Sequence, residues 1–180
     1  MRQLESMEEA LIGELGNVVI FKALTIDELR LLLPVCEEWE YARDEIIVTQ
    51  DSISRYLYIL LAGSVEVTVK GKEKETITIS TIQPGEVFGE ASIFMDVRRI
   101  ATVYAKEESR VLSISREKLF TFCNKHPKTG LKIFTFIIYS LLHRLDAVNQ
   151  DLAYERETSV TEEDLEALKK LFPVTLEDVL

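Results

Sequence analysis

Apolar residues recur at every second position across much of residues 38–115, and this alternation constrains the fold more than any other feature of the chain. Val65, Val67 and Val69 alternate with polar residues, and the alternation resumes beyond the polar tip at 70–73. Two such runs joined by a short polar segment predict a β-hairpin with a solvated turn. Several short strands at even spacing predict a sandwich or a barrel.

Helical patterns flank these strands on both sides. Apolar residues follow helical spacing near the N-terminus, and the Thr25-x-x-Glu28 capping box predicts the start of a second helix. Ser115 is expected to cap a short helix through Phe122, and Pro127 to open a long one. The sequence therefore predicts a mainly β fold with flanking helices, of the α+β class.

The long helix carries two apolar edges. Ile133 and Ile137 form one edge, which is expected to face the β core. The other edge repeats at alternating spacings of four and three residues, which is the a/d seam of a two-helix coiled coil and predicts a homodimer. This seam consists of Phe134, Ile138, Leu141, Leu145, Val148 and Leu152.

The charge balance and the rare residue types exclude several functional classes. Lys and Arg number 21 against 31 Asp and Glu, so the net charge is −10, and nucleic acid and membrane are not expected as partners. The two cysteines, Cys36 and Cys123, form no disulfide framework, and with only two histidines no metal site is expected. The N-terminus is too rich in glutamate for a secretory signal, so a soluble cytoplasmic protein is expected.

One segment carries a specific motif. It reads PGEVFGEASI at 84–93 and RRIATV at 98–103. The segment resembles the phosphate-binding cassette of cyclic nucleotide-binding domains, which catabolite-activator proteins, cyclic-nucleotide-dependent kinases and gated channels share. The resemblance covers about residues 20–152. It implies a double-stranded β-roll, or jelly roll, with N-terminal helices and a long C-terminal helix.

The residue types of this segment suit a cyclic phosphate. Arg99 offers a planar set of donors that can meet two phosphate oxygens. The helical turn that starts at Ala91 and Ser92 leaves backbone N–H groups for the same anion, and both side chains are small. An ionised Glu90 is an acceptor only, which suits a ribose hydroxyl, and Gly89 leaves room for the sugar. Taken alone, Glu90 and Arg99 could instead form a surface salt bridge.

The resemblance assigns roles to these positions and to their neighbours. It implies that Glu90 binds the 2′-hydroxyl, that Arg99 binds the phosphate, and that the N–H groups of Ser92 and Ile100 surround it. The residues carried over as ligand-binding are Gly89, Glu90, Ala91, Ser92, Arg99, Ile100, Ala101, Thr102 and Asn149. Of these, Asn149 matches a position of the long helix where some relatives contact the base.

Three departures from the family pattern indicate a divergent member. Ile100 replaces a small or hydroxylated residue, and the missing hydroxyl, which the family associates with guanine, favours cAMP weakly over cGMP. Arg98 stands in place of a proline. Asp44 and Asp51 replace two turn glycines, and aspartate tolerates positive φ less well than glycine.

These observations predict a regulatory sensor module and not an enzyme, because neither a metal cluster nor an activated nucleophile is present in the sequence. The module is expected to bind cAMP or cGMP without any cofactor, and to signal through its long helix to a dimer or a protein partner. The alternative is a divergent fold that has lost its ligand and serves as a dimerisation or interaction module. The expected organisation is an N-terminal helix at 1–19, the binding domain at 20–152, and an acidic tail with a short helix at 153–180.

Overall fold

A computed structural model of the chain describes residues 1–3, 8–16, 18, 21–71, 75–95 and 97–158. The chain divides into two units, Met1–Ser140 and Leu141–Leu180. The strands are β1 (Arg2–Gln3), β2 (Glu37–Tyr41), β3 (Ile46–Val48), β4 (Tyr56–Ala62), β5 (Val65–Lys70), β6 (Thr76–Ile82), β7 (Val87–Phe88), β8 (Thr102–Ala105) and β9 (Ser109–Ser115). The helices are α1 (Glu8–Leu15), α2 (Ile26–Leu32), α3 (Ala91–Phe94), α4 (Arg116–Lys125) and α5 (Pro127–Thr158), with a 3-10 turn at Leu33–Val35.

The strands of the first unit form two antiparallel sheets. One sheet has the order β1-β2-β9-β4-β7, and the other has the order β3-β8-β5-β6. The chain passes from one sheet to the other several times, which is the double-stranded roll that the sequence resemblance implies. The predicted hairpin is confirmed, because β5 pairs with β6 along its whole length.

Strand β4 separates two hydrophobic clusters. Leu57 and Ile59 pack with the helices, whereas Tyr58 and Leu60 pack in the second cluster with residues of both sheets. Successive side chains of a strand point to opposite faces, so a strand between two cores must be apolar at every position. The continuous apolar run of β4 is therefore explained, and its predicted burial on both faces is confirmed.

The predicted helix starts agree with the structure. Thr25 and Glu28 form both hydrogen bonds of the capping box at the start of α2. The Ser115 side chain accepts from the N–H of Lys118 and caps α4, which continues past the predicted end to Lys125. At the N-terminus, Arg2–Gln3 pair with β2 as a strand, and the described part of the first helix is Glu8–Leu15.

The two apolar edges of α5 have different surroundings. Ile133 and Ile137 are buried in the cluster that contains the helices, as predicted. Phe134, the first seam residue, lies 5.7 Å from both Phe94 and Phe120 between ring centroids, so it also packs within its own chain. The other described seam side chains are exposed, and these are Ile138, Leu141, Leu145 and Val148.

Some expectations concern residues outside those described. The first apolar positions of the N-terminal pattern (4–7), the centre of the hairpin tip (72–74), the tail at 159–180 and the side chain of the seam residue Leu152 belong to this group. Within the described helices, no segment is both long and apolar enough to span a bilayer.

Candidate functional site

The motif segment is attached to the turn that precedes β4. The backbone N–H of Asp51 donates to the carbonyl oxygen of Arg99 at 2.8 Å, and the N–H of Arg99 donates to the carbonyl oxygen of Ser52 at 2.9 Å. Arg98 directs its side chain outward and donates from Nη1 to the carbonyl oxygen of Asp51 at 2.8 Å. Adjacent arginines thus diverge, since Arg98 is exposed and Arg99 is buried.

The guanidinium of Arg99 is held by three acceptors of the protein. Nη1 donates to the carbonyl oxygen of Gly89 at 3.2 Å. Nη2 donates to Ser54 Oγ at 3.0 Å and to the carbonyl oxygen of Tyr56 at 2.9 Å. The residue is only 6% exposed, and its Nε is buried without a hydrogen-bond partner. A buried donor without an acceptor is costly, so Nε–H is a place where an acceptor would be stabilising.

An aromatic row lies beside this guanidinium. The Cζ atom of Arg99 lies 5.6 Å from the centroid of the Tyr58 ring, which is within the range of a cation–π contact. Tyr58 in turn stacks on Phe88 at 5.0 Å between centroids. Burial lowers the pKa of Arg99 below its usual value, while Tyr58 and Glu90 act in the opposite direction. A guanidinium remains charged under these conditions, so the site offers a buried positive charge.

Gly89 is required by its backbone and by the arginine. Its φ of +83° lies in the left-handed region. A Cβ atom at this position would lie 2.7 Å from Arg99 Nη1 and 2.9 Å from the carbonyl oxygen of Tyr56. The sequence motif explains Gly89 by space for a sugar, and the structure adds that the guanidinium of Arg99 occupies the adjacent space.

Glu90 and the short helix α3 directly follow Gly89 in the site. Glu90 is 6% exposed and stands at the N-cap of α3, and its charge acts on Arg99. Ser92 is buried, and its N–H donates to the carbonyl oxygen of Gly89 at 3.2 Å, whereas Ala91 is exposed. The structure thus brings Gly89, Glu90 and Arg99 together, in a buried arrangement and not as a surface salt bridge.

The three residues after Arg99 differ in their exposure. The side chain of Ile100 is 75% exposed, so it does not fill the space beside Arg99. Ala101 is buried, and Thr102 Oγ1 accepts from the N–H of Gln50 at 3.0 Å at the start of β8. Asn149 is exposed in the second unit of the chain, and its role at the base stays a prediction.

Three residues that hold Arg99 were not predicted from the sequence. Ser54 and Tyr56 supply acceptors and Tyr58 supplies a ring face, and all three precede Arg99 by more than 40 residues. Within the described ranges no group of three metal-ligating side chains occurs. The buried guanidinium of Arg99 and the buried carboxylate of Glu90 together suit an anion that also carries a hydroxyl group, because the guanidinium donates to the anion and the carboxylate accepts from the hydroxyl.

The chain is similar in sequence to known proteins. A family model described as the cyclic nucleotide-binding domain matches residues 38–126. The regulatory subunit of a cAMP-dependent protein kinase from Blastocladiella emersonii is 26% identical over 104 residues, which are 58% of this chain and 26% of that protein. A cGMP-dependent protein kinase from Eimeria tenella is 30% identical over 105 residues, which are 58% of this chain and 10% of that protein.

A solved structure is similar over most of the chain. The crystal structure of a cyclic nucleotide-binding domain from Methylobacillus flagellatus has a TM-score of 0.78 at 22% identity and covers 86% of this chain and 88% of that one. At this level of identity the likeness shows the fold. The match to the two kinases is confined to a minor part of their length.

Proposed function

Because residues 38–126 belong to the cyclic nucleotide-binding domain family, we propose that this chain is a regulatory module that binds a cyclic mononucleotide. The observation that carries the proposal is the buried guanidinium of Arg99, whose Nε lacks a partner, beside the buried carboxylate of Glu90. A cyclic phosphate supplies the acceptor and the negative charge, and its ribose supplies a hydroxyl donor for Glu90.

The proposed ligand contacts are those carried over from the family pattern. Arg99 binds the phosphate and Glu90 binds the 2′-hydroxyl, with Gly89, Ala91 and Ser92 forming the turn around the anion. Ile100, Ala101 and Thr102 contact the ligand from the side opposite this turn, and Asn149 contacts the base. Ligand contact with the segment would be relayed to the turn at Asp51–Ser54, because backbone and side-chain hydrogen bonds join the two.

The remaining features of the proposal concern the nucleotide and the output. cAMP is slightly favoured over cGMP, because Ile100 lacks the hydroxyl that the family resemblance associates with guanine. The signal passes through α5 to a homodimer or to a protein partner, with the exposed seam residues as the dimer contact. The binding domain is assigned to 20–152 and acts in the cytoplasm without contacting nucleic acid or membrane. The exclusion of enzymatic activity is likewise part of the proposal.

The experiment is a calorimetric titration of the full chain with cAMP and with cGMP. The same substitution at adjacent arginines provides a matched pair, since Arg99→Lys changes the buried guanidinium and Arg98→Lys changes the exposed one. We expect saturable binding to the wild type, a loss of at least about tenfold in affinity for Arg99→Lys, and less than about a twofold change for Arg98→Lys. Equal losses for both variants would contradict the proposal.

A second candidate function follows from the contacts of Arg99. Three of its N–H donors already bind protein acceptors, so the guanidinium also serves the fold without any ligand. In this alternative the domain has lost its ligand and acts as a dimerisation or interaction module. The absence of any thermal stabilisation by either nucleotide at millimolar concentration would favour the second candidate over the first.

A further inference from the structure

The donors of Arg99 are divided unequally between the protein and the site. A guanidinium has five N–H donors. Nη2 uses both of its own on Ser54 Oγ and the carbonyl oxygen of Tyr56, and Nη1 uses one on the carbonyl oxygen of Gly89. The Nε–H and the second Nη1–H remain. Of these nitrogens, Nε is the buried one without a partner.

Among the three acceptors, the hydroxyl of Ser54 is the side-chain one. Tyr56 and Gly89 contribute backbone carbonyl oxygens, which truncation of a side chain does not remove. Ser54 Oγ is thus the acceptor that truncation of a side chain removes, and the ring of Tyr58 is the second side chain that contacts the guanidinium. A guanidinium that must be ordered on binding loses affinity, whereas one that is already oriented does not.

We infer that Ser54 is a positioning residue, which holds the guanidinium of Arg99 so that its Nε–H is the donor to the phosphate of a bound cyclic nucleotide. The inference rests on the proposed function and deepens it. It requires that the bond from Nη2 to Ser54 persists when the nucleotide is bound. Ser54 acts through Arg99, so its removal weakens binding of the phosphate.

Ser52 provides a matched control for Ser54. Both serines lie in the same turn before β4, and both are partly buried. The hydroxyl of Ser52 donates to the carbonyl oxygen of Thr49 at 2.6 Å, whereas the hydrogen bonds of the guanidinium go to Gly89, Ser54 and Tyr56. The two alanine variants thus remove the same atom from the same turn, and only Ser54→Ala removes an acceptor of Arg99.

The test is the affinity of the full chain for cAMP in five forms: wild type, Ser52→Ala, Ser54→Ala, Ser54→Cys and Ser54→Thr. We expect Ser54→Ala to weaken binding roughly tenfold, since a hydrogen bond to a charged group is lost, and Ser52→Ala to change it less than about twofold. Ser54→Cys retains the size with a poor acceptor and should resemble the alanine variant, while Ser54→Thr restores the hydroxyl and the affinity. Melting temperatures of all five forms detect any loss of folding.

A spectroscopic readout tests the Nε–H directly. The side-chain Nε–Hε resonance of Arg99 is identified by its disappearance in Arg99→Lys. We expect this resonance to shift on addition of cAMP more than that of the exposed Arg98, and to shift less in Ser54→Ala. A merely structural role of Ser54 would lower the melting temperature without changing either the affinity or this shift.

The outcomes separate this inference from the proposed function. Absence of saturable binding to the wild type would refute the proposed function and this inference with it. Binding to the wild type with equal affinities for Ser52→Ala and Ser54→Ala would refute the role of Ser54 alone. Tighter binding by Ser54→Ala would also refute it, because the hydroxyl would then compete with the phosphate for Nη2.

Discussion

Asp51 donates its backbone N–H to the carbonyl oxygen of Arg99 at 2.8 Å, and it does so from a left-handed conformation with φ +64°. The turn before β4 is therefore joined to the residue that we propose binds the phosphate. Asp44, at φ +66°, makes the equivalent bond to the carbonyl oxygen of Ala105. These are the two positions where the family pattern has glycine, and the structure retains the glycine-like backbone at both.

The first prediction concerns this conformation of Asp51. Asp51→Gly removes the steric cost of the left-handed region, whereas Asp51→Ala increases it. We expect the free energy of unfolding of the alanine variant to be about 1 kcal/mol below that of the glycine variant, measured by urea denaturation. The same pair of substitutions at Asp44 should give a difference of the same sign. Equal stabilities of Asp51→Gly and Asp51→Ala would contradict the backbone assignment.

The turn also shows which parts of the molecule could be predicted from the sequence. The capping box at Thr25 and the start of α5 at Pro127 depend on residues within one helical turn, so local spacing was sufficient. The contact of Arg99 with Ser54 joins residues 45 apart, and no local pattern specifies it. The strand at Arg2–Gln3 was not predicted for the same reason, since Arg2 pairs with the distant Glu40.

The second prediction concerns Gly89. Gly89→Ala places a Cβ atom 2.7 Å from Arg99 Nη1 at a positive φ, so it should lower the free energy of unfolding by about 2 kcal/mol. It should also weaken cAMP binding, because the guanidinium must move. Gly13→Ala is the control, since Gly13 lies within α1 and a Cβ there meets nothing within 4 Å. Urea denaturation should show that Gly13→Ala stabilises the protein by about 0.5 kcal/mol, and a stability of Gly89→Ala equal to that of wild type would contradict the argument.

The third prediction concerns the carboxylate of Glu28, which joins α2 to α5. Its oxygens accept from Lys132 at 2.7 Å, from the backbone N–H of Thr25 at 2.8 Å and from Thr129 at 3.0 Å. The Lys132 hydrogen bond is the largest cause that lowers the pKa of Glu28, from 4.5 to about 2. A carboxylate with a lowered pKa in the folded state contributes stability that is complete above its unfolded pKa and is lost as the pH falls.

The measurement is the stability of Glu28→Gln relative to wild type as a function of pH. We expect a loss of about 2 kcal/mol at neutral pH, and a difference that shrinks as the pH falls from 4.5 towards 2. The control is Glu9→Gln, whose partner is Arg30 at the surface and whose loss should stay below about 0.5 kcal/mol. A Glu28→Gln difference that is independent of pH in this range would exclude the contribution of its charge.

The fourth prediction concerns the seam of α5. Leu145 is 57% exposed on the seam, and Tyr139 is equally exposed on the same helix but off the seam. A charge at an a/d position of a coiled coil is destabilising, so Leu145→Glu should convert a dimer into a monomer. Tyr139→Glu should leave the dimer intact. Sedimentation equilibrium measures the oligomeric state of the wild type and both variants. A monomeric wild type would refute the proposed dimer.

The fifth prediction concerns the choice of nucleotide. Ile100 is 75% exposed after Arg99, so substitutions there should leave the stability of the fold unchanged. Ile100→Thr adds the hydroxyl that the family associates with guanine, while Ile100→Val has the same branched shape without the hydroxyl. The two variants differ in one polar group only. A difference in nucleotide affinity between the two variants therefore reflects a hydrogen bond and not the size of the side chain.

We expect Ile100→Thr to raise the affinity for cGMP relative to cAMP by roughly fivefold over Ile100→Val, which corresponds to one net hydrogen bond. Competition titrations of both nucleotides against the same protein preparation measure this ratio. If threonine and valine give the same ratio, the side chain at this position does not contact the base. Nucleotide preference would then depend on other residues, and Asn149 of α5 is the first to test, because its amide has both a donor and an acceptor for a purine edge.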